Sequence, residues 1–138
     1  MEGQADDGSA APLGGGELLA AISNRFVAIL RDRYGRGPMQ AKTYALDDII
    51  VVVMRESGFT VLEQTIMDAG DPDRVVAMRH QFHHLMTDRF TETIVELTGR
   101  KVLASLSQAH VDPDITIEMF FIDRPLHVFG GLEPVDGE

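Results

Sequence analysis

The sequence predicts an α+β protein: a two-layer sandwich with a four-stranded antiparallel sheet and helices on one face. Three observations carry that expectation. A helix-then-hairpin pattern occurs twice, strand-length segments alternate with period two, and cap residues stand at matching helix ends. The first copy reads FVAILRDRYGRGPMQAKTYALDDIIVVVM, Phe26 to Met54. The second reads FTETIVELTGRKVLASLSQAHVDPDITIEMFFI, Phe90 to Ile122. Every element recurs in order, which reads as an internal duplication with the element order α-β-β-α-α-β-β.

Taken in order, residues 1–16 hold Gly, Ala, Asp and Pro with a single large aliphatic, Leu13. They bury too little apolar surface to offset ordering entropy, so a flexible acidic tail is expected. A single domain then spans 17–129, and 130–138 form a second acidic tail. The first helix ends at Gly35, which tolerates the left-handed cap conformation, and Pro38 stops it from continuing. A strand pair follows, joined by the tight turn Leu46-Asp47-Asp48-Ile49. Thr60 caps a short helix over 61–69. In GDPDR, Asp71 is the N-cap and Pro72 the first residue of a long helix over 72–98. Gly99 ends that helix as Gly35 ends the first. In the last strand Ile115, Ile117, Met119 and Phe121 share one face, while Thr116 and Glu118 share the other. An open edge on such a sheet invites pairing with a second copy, so a homodimer is expected.

Composition narrows the function classes. The 138 residues suit one domain, and 44% are hydrophobic. Cysteine is absent, which excludes disulfides, thiolate chemistry and cysteine-ligated zinc. The net charge is −10; six of the 22 acidic residues lie in the tails, and all 12 basic residues lie between them. An acidic chain without a basic cluster lacks the phosphate-neutralising charge that nucleic-acid binding needs. No apolar run reaches the ~18 residues of a membrane span, so no direct membrane insertion is expected. The N-terminus lacks a signal-peptide pattern, and the expected location is cytoplasmic, peripheral to a membrane only through a protein partner.

Several polar positions call for reasons. On the long helix Val75, Met78, Phe82, Leu85, Met86, Phe90, Ile94 and Leu97 define an apolar stripe, and Arg79 and Arg89 fall inside it. A guanidinium there either snorkels to water or a carboxylate, or lines an anion-accepting cleft or pairs with Asp112 and Asp114. HQFHH, His80 to His84, copies the spacing of a metalloprotease motif, but Gln81 replaces its general base and no third ligand follows. A solvated polar face is the simpler reading of these histidines. In SQAHVDPD, Ser107 to Asp114, turn chemistry accounts for Asp112, Pro113 and Asp114. Gln108 and His110 continue the parity of Val102, Ala104 and Leu106, so they sit at the polar end of an apolar face. Arg79, Arg89, Gln108, His110, Asp112 and Asp114 therefore form the candidate ligand or partner site. No catalytic set is legible, and no cofactor or metal site is identified: nothing places a nucleophile against His110, and no Gly-rich phosphate loop follows a strand.

With these motifs in hand, the chain resembles the small bacterial proteins of the MpsC-like or YbcI-like family. The resemblance rests on a helix running into YGRGP (Tyr34 to Pro38), a strand pair with an Asp-containing turn, a helix ending in ELTGRKV (Glu96 to Val102), SQAHVDPD and the strand IEMFFID. It covers about residues 18–123. The family is named for a component of a sodium-translocating, membrane-potential-generating system. The resemblance implies a small non-enzymatic accessory or regulatory subunit of a membrane complex for ion or inorganic-carbon transport. The alternative reading from the residues is a small-ligand protein, binding an anion or a metal, or an enzyme, with its site at Arg79, Arg89, His110, Asp112 and Asp114.

Overall fold

The computed structural model describes residues 15–35, 38 and 40–126. The two expected tails, apart from Gly15 and Gly16, lie outside the described residues, as do Arg36, Gly37 and Met39. Helix α1 spans Gly15–Tyr34. Strands β1 (Gln40–Leu46) and β2 (Ile49–Arg55) form the first hairpin, helices α2 (Val61–Asp68), α3 (Pro72–Leu85) and α4 (Thr87–Thr98) follow, and β3 (Val102–Val111) and β4 (Asp114–Ile122) form the second. The four strands make one antiparallel sheet in the order β1-β2-β4-β3. The α+β class and the antiparallel sheet are those the sequence predicts. The second strand of each hairpin is central, and the first is at an edge.

Local signals explain the element ends. Gly35 and Gly99 adopt φ of 87° and 69°, the left-handed conformation that the two helix C-termini require. Thr60 caps α2 as expected. Its hydroxyl accepts from the Glu63 amide while the Glu63 carboxylate accepts from the Thr60 amide, a complete capping box. Pro72 occupies the first turn of α3, but the Asp71 side chain makes no cap hydrogen bond.

Helix α1 places Leu18, Ile22, Phe26, Ile29 and Leu30 along one stripe against the sheet. Phe26 is fully buried. It stacks on Phe90 of α4 with centroids 4.6 Å apart and meets Phe120 of β4 edge-on at 5.9 Å. Ile50, Val52 and Met54 of β2 complete the core from below. Ser23 and Thr43 satisfy each other's buried hydroxyls at 2.7 Å across the α1–β1 contact.

Two expectations change. The long helix over 72–98 is two helices, broken at Met86. The Met86 amide is shared between the Phe82 and His83 carbonyls, and the Thr87 hydroxyl also donates to the His83 carbonyl, back-bonding that bends a helix. Leu85, which the apolar stripe included, is 77% exposed, because the buried face of α3 is the line of Val75, Arg79 and His83 and Leu85 lies well away from it. Next, the register of β3 shifts between Val102 and Ala104. Val102 therefore leaves the parity of Ala104 and Leu106 and packs against the core. The sequence left open which face of the sheet is covered; the helices lie on the Thr116/Glu118 face of β4, where Thr116, Glu118, Phe120 and Ile122 are buried. The more apolar face of the sheet, carrying Ile115, Ile117, Met119 and Phe121, bears no covering layer among the described residues.

Candidate functional site

The densest polar cluster lies where α1, α2, α3 and the β2–α2 loop meet the start of β4. The buried face of α3 is Val75, Arg79 and His83, one residue per turn, and two of the three are polar. Arg79 is 3% exposed. Its Nε donates to Glu63 at 3.1 Å, Nη1 to Asp114 at 2.7 Å, and Nη2 to the Gly58 carbonyl and Glu63. The guanidinium also lies 4.7 Å from the centre of the Phe59 ring. Glu63 is fully buried and accepts further from the Tyr34 hydroxyl and the Thr60 amide. Asp114 accepts from the Gly58 amide at 2.9 Å. One arginine thus pins the loop between β2 and α2 to α3 and to the second hairpin. Each of its nitrogens is engaged by the protein itself, as a buried guanidinium requires.

The charges in this cluster support one another. Burial alone pushes the Glu63 carboxyl up, but hydrogen bonds from Arg79, Tyr34 and the Thr60 backbone, with the charge of Arg79, outweigh it and hold the group below its ordinary 4.5. Burial likewise pushes Arg79 down, and Glu63 and Asp114 more than reverse this. Burial, together with the bond to Glu63 and its charge, pushes the Tyr34 phenol well above its ordinary 10.0. Tyr34 therefore stabilises the fold in full below pH 10.0 and loses that contribution at higher pH. For Glu63 the sign is opposite: its contribution is present above pH 4.5 and disappears as pH falls through its lowered folded value. Accordingly Glu63→Gln is expected to be less stable than wild type at pH 7. The gap should narrow as pH falls below 4.5, where the wild-type carboxylate is progressively protonated. Urea unfolding across a pH series checks this, and a gap that stays constant down to acid pH contradicts it.

Thr60→Ala removes the other half of the capping box. The expected cost is about 1 kcal/mol, within the range measured for N-cap Ser and Thr residues. Thermal unfolding of the variant reads this, and an unchanged midpoint refutes the cap's role.

A second polar contact lies nearby. His83, 6% exposed, sets Nδ1 against the carboxylate of Glu118, which also accepts from Ser107 at 2.9 Å. Glu118 thus stands between a serine and a histidine. A Ser-His-Asp type of relay needs the imidazole in the middle, so this order does not make one. His80 accepts the Ala109 amide at 3.1 Å, and His84 is exposed. The three histidines therefore have three environments, and the expected solvated face holds only for His84. No group of three potential ligands for a metal ion occurs among the described residues.

The structure brings Arg79 and Asp114 of the candidate residues into contact. It does not bring the other four to them. Arg89 is exposed on α4, and Gln108, His110 and Asp112 are exposed on the second hairpin. The Asp112–Pro113 peptide is cis, and the Pro113 carbonyl lies 2.9 Å from His110 Nδ1. The turn therefore satisfies His110 locally. Asp114 does more than turn chemistry predicts, because its carboxylate reaches a loop 56 residues away in sequence. Glu63 escaped the sequence reading, though its position three residues after Thr60 was a visible capping-box signal.

A family model described as Na+-translocating membrane potential-generating system (MpsC) matches residues 15–124. No curated protein and no solved structure matches.

Proposed function

The chain belongs to the MpsC family, and from that premise we propose that it is a soluble accessory or regulatory subunit of a Na+-translocating, membrane-potential-generating system. The observation that carries this reading is the family match over nearly all the described residues. The fold fits it in one respect: no described helix is long and apolar enough to cross a membrane. An ion path needs backbone groups satisfied within the bilayer, which a helix of that kind supplies. In this reading the protein acts on such a path through contact with a membrane subunit at the cytoplasmic surface. Its working unit is a homodimer. The symmetric strand order β1-β2-β4-β3 supports a duplicated helix-hairpin ancestor.

The test is Na+-dependent potential in sealed membrane vesicles, read with a voltage-sensitive dye. Vesicles from cells lacking this chain should lose the Na+-dependent signal and regain it when the purified chain is added to the cytoplasmic side. An undiminished signal without the chain overturns the proposal.

A further inference from the structure

Half of the sheet's side chains have no covering layer among the described residues. Alternation along β2 and β4 sends Ile50, Val52, Met54, Thr116, Glu118, Phe120 and Ile122 toward the helices. Their neighbours in sequence point the other way. The register sets these in cross-strand rows, of which two are apolar throughout. Tyr44, Val51, Met119 and Leu106 form one, and Leu46, Ile49, Phe121 and Ala104 form the other. Tyr44, Leu46 and Leu106 are 46%, 49% and 59% exposed. An antiparallel sheet with a solvated face normally alternates apolar-in with polar-out. This sheet does not, and a contiguous exposed apolar patch marks an interaction surface.

Resting on the homodimer reading above, we propose that this face is the interface between two copies of the chain, packed sheet on sheet about a twofold axis that crosses the strands. Three observations favour a second copy.

The first is charge. No acidic residue projects from the strands of this face, although the chain carries a net −10. Two such chains can meet here without opposing carboxylates.

The second is the arrangement of the rim. Lys42 and Arg55 stand toward one end of the β1–β2 hairpin, and Asp47 and Asp48 close the other. An axis across the strands makes the contact isologous and lays the acidic turn of each copy over the basic end of its partner.

The third is area. Four strands at about 4.8 Å spacing and seven residues at about 3.3 Å rise give a footprint of roughly 19 by 23 Å. With side-chain relief and both copies counted, that comes to roughly 1,000 Å², the floor that a specific interface has to clear.

Pairing through the sheet edge, the expected route to a dimer, fits less well. On β3 the Ala109 amide is already bonded to His80 of α3, and edge strand β1 carries Lys42, a residue that blunts edges.

The test uses the full chain and measures mass by light scattering after gel filtration. Wild type is expected at twice 15.2 kDa. Leu106→Glu and Tyr44→Glu each place a charge in the central apolar row at an exposed site. They should run at the monomer mass with unchanged circular dichroism. Arg55→Glu should weaken the dimer at low salt at least tenfold, and Arg55→Glu with Asp48→Arg should restore it. A wild-type monomer at high micromolar concentration overturns the proposal and gives the face to residues 127–138 or to a membrane subunit. A dimer untouched by both glutamates overturns it in favour of the edge. Failure of the double charge swap to restore association overturns the crossed arrangement of the two copies.

Discussion

Arg79→Ala is expected to destabilise the protein by about 3–5 kcal/mol, the cost of removing one partner of a buried ion pair. The magnitude follows from what is left behind rather than from the bond lost. Glu63 is fully buried and the Asp114 side chain is 13% exposed, and removing the guanidinium takes the ion-pair partner from both. An uncompensated buried carboxylate is among the costliest features a fold can carry. The Gly58 carbonyl and the loop it belongs to lose their anchor in the same step. Urea unfolding at neutral pH reads the effect. A loss below about 1 kcal/mol, the worth of a surface pair, would show that water already reaches this cluster. A companion double variant, Arg79→Met with Glu63→Gln, should lose less than the two single variants summed, because the fully buried pair is removed together and only the part-exposed Asp114 is left without its partner.

Phe26→Ala should cost about 3–5 kcal/mol by a different mechanism. The ring is fully buried, stacked on Phe90 and edge-on to Phe120, so it joins α1, α4 and the centre of the sheet. Its removal leaves a cavity between three elements, none of which can collapse without moving the others. Leu85→Ala serves as the contrast. Leu85 is 77% exposed, and its truncation should change stability by no more than about 0.5 kcal/mol. Equal effects at the two sites would contradict the position of the core.

Much of the architecture was legible because period-two and period-3.6 patterns act locally. The caps at Thr60, Gly35 and Gly99 were readable for the same reason: each serves backbone groups within a turn of itself. The break at Met86 was not readable. The apolar stripe runs through it unbroken, and only the hydroxyl of Thr87 and the shared amide of Met86 bend the chain. The bulge near Leu103 was equally silent, since an extra residue in a strand leaves no compositional mark.

The covered face of the sheet was the hardest feature to anticipate. Residues 49–54 of β2 are apolar on both faces, so they cannot vote. In β4 the apolar alternation points away from the helices, and Glu118 and Thr116 point toward them. That choice makes sense only beside α3, whose inward face holds Arg79 and His83. Polar groups on α3 and β4 bury one another, and the purely apolar rows are left outside. The stripe places Arg79 inward but not His83, which it leaves at its polar edge. Of the candidate residues, the Arg79–Asp114 contact was in reach because both are charged and one lies on a core-facing stripe. Arg89, Gln108, His110 and Asp112 are exposed and meet no such partner among the described residues.

The central claim is that a chain with no spanning helix among its described residues serves a membrane system by docking on it. Affinity capture of the full chain from gently solubilised native membranes tests this most directly. The account predicts that a multi-span Na+-translocating protein is retained in fixed ratio with the chain. A folded chain recovered without any membrane protein, under conditions that leave the translocating system intact, contradicts it.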